Sequence, residues 1–242
     1  MSVRRGSLFI LVSAYLVLWV GGVGPQLFSG RAAEGAGWAA PTFLLLAGLI
    51  VLTTTGSSDL IGLLAIAGLG FAAEVIGVRH SFLFGAYRYT GTLQPQWLGV
   101  PLVMASAWMV MAAYVKQMLL RLQLPGWIAV VAAGAWMAAL DLVIDPLAAN
   151  QLNYWRWMET GSYYGIPTHN FIGWFSVSLL IFGLIRRRWQ PNPWARYVGL
   201  SVLLFFTLLA FTYRLLLAGS IGSLLMLIQL ILSLRLVRTE LT

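Results

Sequence analysis

Apolar runs broken by Gly, Pro and charge dominate this chain, falling near residues 8–24, 39–54, 60–78, 97–120, 126–148, 170–185, 196–213 and 219–236. A helix crossing a hydrocarbon core about 30 Å thick needs roughly 20 mainly apolar residues, and each run reads as such a helix. The pattern predicts an all-α fold, a polytopic transmembrane helical bundle of about eight helices. A count of seven stays open, because the second and third runs are short and the turn at Arg214 is tight. The first run follows Arg4 and Arg5 as a signal peptide's apolar segment would. No small-x-small cleavage site follows it, so it is read as a helix.

Composition agrees with the pattern. Of 242 residues, 60% are hydrophobic and 9% charged, against about 25% charged in a soluble domain. Residues 1–242 therefore read as a single transmembrane domain. A net charge of +8 would suit nucleic acid, but the cations sit at the ends of apolar runs, where they set topology and meet lipid headgroups. The absence of cysteine removes disulfide and thiolate chemistry. With the N-terminus cytoplasmic, the inner segments carry Arg4, Arg5, Lys116, Arg121, Arg186, Arg187, Arg188, Arg196, Arg235 and Arg238. The outer segments then carry Arg31, Arg79, Arg88, Arg156 and Arg214. This excess predicts a multi-pass protein of the cytoplasmic membrane with both termini inside.

Two loops, Arg79 to Gln96 and Ala149 to His169, share this outer face and resemble each other. Tyr87-Arg88-Tyr89 with Thr90-Gly91 is echoed by Trp155-Arg156-Trp157 with Thr160-Gly161, and Gly99-Val100-Pro101 by Gly165-Ile166-Pro167. In both copies a tryptophan, Trp108 or Trp174, follows seven residues after the proline. The match is what an internal hairpin repeat leaves, and sites in membrane proteins often form where such copies meet. Aromatic residues enriched at membrane interfaces would supply much of the same likeness.

Carboxyl groups inside apolar runs cost about 2.5 to 3.5 kcal/mol on insertion scales and need a reason to be there. Glu74, Asp141 and Asp145 are those groups. The i, i+4 spacing of Asp141 and Asp145 puts both on one helix face, and a pair this close titrates as one coupled unit. A proton held between them is what a general acid needs. The plain structural alternative is that these carboxyls pair with Arg79, Arg88 or Arg156 or hydrogen-bond to neighbouring helices. Glu34 and Asp59, at loops, read as solvated. His80 and His169 lie at the outer interface without metal-ligand spacing, so no metal is expected; His169 and Asn170 read instead as hydrogen-bonding partners for a water. Trp108, Trp136 and Trp174 lie in helices adjoining the carboxyls, where an aromatic face can hold a cation. No Gly-rich nucleotide loop is present, and no cofactor is expected.

Glu74-Val75-Ile76-Gly77-Val78, Phe84 to Thr90, Gly99-Val100-Pro101 with Trp108, Asp141 to Pro146, and Tyr163 to Pro167 with Asn170 to Trp174 together resemble the CruF-type carotenoid biosynthesis proteins. The resemblance covers residues 70–176, the expected functional core; His80-Ser81-Phe82-Leu83 departs from that family's pattern. It implies a carotenoid hydratase, a hydro-lyase that adds water across the terminal isopropylidene double bond of an acyclic carotenoid. The expected partners are then a polyene, water and membrane lipid, with no nucleic acid. Asp141 or Asp145 is the expected acid, Glu74 or His169 the group that deprotonates water, and Tyr87, Tyr89, Trp108, Trp136, Tyr163, Tyr164, Asn170 and Trp174 the substrate-binding set. Two rivals differ in class. An intramembrane prenyltransferase would use Asp141 and Asp145 to hold magnesium diphosphate, and would show magnesium dependence. A transporter or ligand-binding membrane protein would use the same carboxyls as an ion relay and leave its cargo unchanged.

The charge asymmetry generates a test. Cysteines placed at Gln94 and Gln151 are expected to label from outside intact cells, and cysteines at Ser57 and Asn192 are not; the opposite labelling reverses the topology.

Overall fold

The computed structural model describes residues 2–30, 35, 37–120, 122–186 and 188–239. Arg31, Glu34, Arg121 and Arg187 lie outside the described residues, as do the side chains of Arg4, Arg235 and Arg238. Eight helices follow one another among the described residues: α1 (Ser2–Ser29), α2 (Ala39–Thr54), α3 (Ser57–His80), α4 (Val103–Leu119), α5 (Gly126–Asn150), α6 (Thr168–Leu184), α7 (Pro193–Thr212) and α8 (Leu216–Thr239). Four short strands, β1 (Tyr87–Tyr89), β2 (Gln96–Trp97), β3 (Val100–Pro101) and β4 (Trp155–Trp157), lie in the two long loops. The tight turn at Arg214, whose φ of +58° breaks the helix, separates α7 from α8, so the count is eight rather than seven.

Five helices, α1, α3, α5, α7 and α8, are long and apolar enough to cross a membrane. The other three, α2, α4 and α6, are apolar but reach only about 25 Å at 1.5 Å per residue. Ahead of α4 and α6, the ends of the irregular segments are covered by protein: Val100, Pro101, Ile166 and Pro167 are buried. Non-helical backbone at that depth is tolerated where protein covers it.

Packing is tight where small residues allow it. On α1, Tyr15 stacks on Phe43 of α2 with ring centroids 4.7 Å apart, and its hydroxyl meets Ser201 Oγ of α7 at 2.8 Å. On α3, Gly70 lies against Trp108 of α4, so close that a Cβ there would fall 2.2 Å from the indole Cγ.

The helix ends opposite the two long loops are joined by a buried polar cluster. Asp59, read above as solvated, is buried and accepts the backbone N–H of Gln190 at 2.7 Å. Its place in the first turn of α3 gave the sequence no sign of a partner 131 residues away. Gln117 accepts the N–H of Asn192 at 2.7 Å and donates to the carbonyl of Gln190 at 3.1 Å. Lys116 donates to the carbonyl of Ile185 and lies 4.8 Å from the centre of the Trp189 ring. Asn192 caps α7 through Ala195 N–H. Because Asn192 is buried, the labelling probe for this face belongs at exposed Gln190.

Two glycines of α3 give opposite expectations. A Cβ at Gly68 meets nothing within 4 Å, so Gly68→Ala is expected to leave stability unchanged or raise it by up to about 1 kcal/mol. Gly70→Ala forces Trp108 to move and is expected to cost about 1–3 kcal/mol. Thermal unfolding midpoints in detergent, higher or equal for the first and lower for the second, check the α3–α4 contact.

Candidate active site

The carboxyl cluster is assembled by a ribbon two strands wide. β1 and β4 pair antiparallel, with Tyr87 opposite Trp157, Arg88 opposite Arg156 and Tyr89 opposite Trp155. Alternation along a strand sends the flanking aromatics to one face and the central arginines to the other. The aromatic face covers the ends of α3 and α5. There Tyr87 and Tyr89 donate to Glu74 Oε2 at 2.5 and 2.8 Å, while Trp155 and Trp157 donate to Asp145 Oδ1 at 2.7 and 3.2 Å.

The returning helices complete the set. From α4, Trp108 Nε1 donates to Glu74 Oε1 at 2.9 Å. From α6, Asn170 Nδ2 lies 2.6 Å from both Asp141 Oδ2 and Asp145 Oδ2 and so bridges the two aspartates. Glu74, Asp141, Asp145 and Asn170 are all buried. Their donors are neutral; among the described residues no arginine joins these hydrogen bonds, and Arg79, Arg88 and Arg156 are exposed. Of the plain structural alternative, the arginine pairing is not seen among the described residues, whereas hydrogen bonds from neighbouring helices, Trp108 of α4 and Asn170 of α6, are present.

The two loop copies match in backbone as well as sequence. Leu98 and Gly99 have φ of +56° and +83°, and Tyr164 and Gly165 have +51° and +82°. Each pair is the two-residue turn of a tiny antiparallel hairpin, Trp97 opposite Val100 in one and Tyr163 opposite Ile166 in the other. Two successive positive φ values are the mark of a type I′ turn. Interfacial aromatics alone do not impose that geometry, so the likeness extends beyond composition. Seven residues past each proline the tryptophans meet: Trp108 and Trp174 stack with centroids 4.2 Å apart and planes 8° from parallel.

A largely apolar cavity of about 490 Å³ runs between α1, α2, α4, α5 and α7 and reaches this cluster. Asp141 is the one carboxyl of the three on its wall, beside Trp155 and Trp174. Phe43, Met111 and Phe205 are among its apolar lining, and Gln26, Thr92 and Gln151 add polar atoms. Trp155 and the contributions of α1, α2 and α7 were not anticipated from sequence, since those helices carry no motif.

Other expected site residues lie elsewhere. Tyr163 serves the fold. Pro146 lacks the N–H that would bond the carbonyl of Leu142, and Tyr163 hydroxyl supplies the donor at 2.8 Å. Tyr164 hydroxyl accepts the N–H of Leu217 at the start of α8. Trp136 packs against the core away from the cavity lining. His169 is exposed at the start of α6 and joins none of the carboxyl hydrogen bonds. Tyr87, Tyr89 and Trp108 bind Glu74 rather than line the cavity, whereas Trp174 does line it.

The family described as "Carotenoid biosynthesis protein" matches residues 39–236. The chain belongs to that family. Bisanhydrobacterioruberin hydratase of Haloarcula japonica is 29% identical over 147 residues, which is 55% of this chain and 50% of that protein. The chain thus matches about half the length of this curated relative. No solved structure matches. The family assignment accounts for the resemblance read in residues 70–176 and places this membrane protein in carotenoid biosynthesis.

If the neutral donors are what make the buried carboxyls tolerable, removing one exposes the cost. Tyr87→Phe and Asn170→Leu are each expected to lower stability by about 1–3 kcal/mol, the penalty for an unsatisfied buried polar group. Tyr197→Phe, at an exposed site, is the matched control. Equal unfolding midpoints for all three would mean these neutral donors are not needed to hold the carboxyls.

Proposed function

We propose that this protein is a carotenoid hydratase that adds water across the terminal isopropylidene C=C of an acyclic carotenoid end group. The observation that carries the proposal is Asp141: a buried carboxyl on the wall of an apolar cavity, bridged by Asn170 to a second aspartate. The family and the hydratase relative supply the substrate class.

In this scheme the end group occupies the cavity and Asp141 delivers a proton to the less substituted alkene carbon. The π electrons form the new C–H bond and leave a tertiary cation. Trp155 and Trp174 border the cavity where that charge develops, and indole is the strongest aromatic partner for a cation. Water adds to the cationic carbon, and its proton passes to the aspartate pair, which regenerates the acid. Asn170 holds both aspartates in register, so either can carry the proton between turnovers. Excluding bulk water from the cavity protects the cation until the single reacting water arrives.

Glu74 takes a different role from the water-directing base expected of it. Its two oxygens already accept three hydrogen bonds, and Trp108 stands between it and Trp174. The geometry favours a positioning role, fixing Trp108 and through it the stacked Trp174 at the cavity wall. His169 has no part in this scheme. We place the protein in the cytoplasmic membrane with both termini inside, as the arginine distribution favours.

The test is co-expression in a host that makes an acyclic carotenoid, with pigments read by mass spectrometry per unit of inserted protein. Wild type is expected to add one water per reacted end. Asp141→Asn is expected to lower alcohol yield by about 10² to 10⁴, the usual general-acid contribution, with Asp145→Asn also impaired. Glu74→Gln is expected to retain turnover but release more isomerised alkene, because a misplaced cation loses a proton before water captures it. Exposed Glu159→Gln is the control. Normal alcohol yield from Asp141→Asn would remove the mechanism.

A further inference from the structure

The outer face of the same ribbon carries a feature that hydration does not use. Arg88 and Arg156 are directly opposed in the β1–β4 pairing, on the face away from the carboxyls, and both are exposed. Like charges opposite one another across an antiparallel pair are destabilising. Nothing in the ribbon's inward chemistry requires arginine at either central position.

Both arginines line a surface groove of about 1070 Å³. Its polar side is completed by Thr90, Thr92, Gln94 and Asn153, and its other side by Trp38, Pro41, Leu45 and Val103. No carboxylate is among these described lining residues. The polar side is also ordered. Arg156 Nε donates to Asn153 Oδ1 at 3.2 Å, and the hydroxyls of Thr90 and Thr92 donate to the carbonyl of Asn153 at 2.5 and 3.0 Å. These bonds tie the loop to Arg156, which stands opposite Arg88 in the pairing.

We infer that the Arg88–Arg156 pair is a binding site for the phosphate of an anionic phospholipid, with an acyl chain lying along the Trp38–Pro41–Leu45 wall. A phosphate between two guanidiniums turns a repulsive pair into two sets of charge-assisted hydrogen bonds, for which arginine's planar fork is suited. The apolar wall favours a phosphate that carries a chain over the free ion. The groove and the internal cavity share Gly37, Trp38 and Thr92, so this lipid lies next to the cavity. The inference does not depend on the hydratase reading.

The experiment uses the full chain in detergent, stripped of lipid and then titrated with phosphatidylglycerol, read by native mass spectrometry and by thermal unfolding. Wild type is expected to retain phosphatidylglycerol and to melt higher with it. In the double variant Arg88→Gln/Arg156→Gln the bound fraction is expected to fall about tenfold or more, the loss of two charge-assisted contacts, and the lipid-induced rise in melting to vanish. Arg156→Lys keeps the charge without the fork and should retain part of the binding. Arg79→Gln, whose arginine is exposed but outside the groove, should behave as wild type. Undiminished lipid binding by the double variant would overturn the site. Complete displacement of the lipid by millimolar inorganic phosphate would overturn the lipid assignment in favour of the free ion.

Discussion

Three carboxyl groups buried in an apolar bundle need hydrogen-bond donors, and the rest of this structure is arranged around supplying them. An unpartnered carboxyl in such surroundings is among the costliest features a helix can carry. The donors come from indoles, phenols and an amide on four different elements, β1, β4, α4 and α6. Neutral donors satisfy a carboxyl without neutralising it by ion pairing. A buried arginine would bring its own desolvation cost and bind a carboxylate so firmly that proton transfer from it would suffer. The choice of partners thus separates the two jobs of charge in this protein: carboxyl groups face inward with neutral donors, and guanidiniums face outward to the groove.

The internal repeat explains how one ribbon can serve two helices. Each copy brings a helix carrying a carboxyl, an aromatic-Arg-aromatic strand, a type I′ turn and a returning helix with a tryptophan. Because the strands pair antiparallel about Arg88 and Arg156, each copy presents its aromatics to its own helix while pairing with the other copy. The copies then differ where chemistry differs. Three residues past the proline, the first copy has Met104 and the second has Asn170. Met104 lines the cavity and Asn170 bridges two aspartates, so only the second copy has the paired carboxyls and their bridge.

The helices were legible because apolar runs of this length have few alternatives, and the second run matches α2 at both ends. The carboxyls were legible for the complementary reason: a charge inside such a run stands out. The donors were only half legible. A three-residue strand alternates, so Tyr87-Arg88-Tyr89 already implied two aromatics on one face, but nothing in the sequence said that the strand would lie over Glu74. Tyr163 and Tyr164 read as substrate contacts because they sit in an aromatic turn that resembles the family's motif; their partners, the carbonyl freed by Pro146 and the first turn of α8, are set by tertiary packing. The cavity wall from α1, α2 and α7 was not legible, since hydrophobicity there serves lipid and cavity alike.

The two ends of the bundle are built to different rules, and the difference bears on function. At the end away from the ribbon, Asp59, Gln117 and Asn192 each accept a backbone N–H, and Asn192 Nδ2 also donates to the hydroxyls of Thr54 and Thr55. That network fixes how the helices meet and leaves little polar capacity to spare, while the space beside it, about 20 Å³, is too small for a substrate. At the ribbon end, Asp141 has one named side-chain partner and a face on a cavity of about 490 Å³. A rigid latch at one end lets the other keep an open pocket without losing register. A carboxyl held by Asn170 beside an apolar cavity is the arrangement on which the proposed proton delivery to an alkene rests, and it lies at the end where the two loop copies meet.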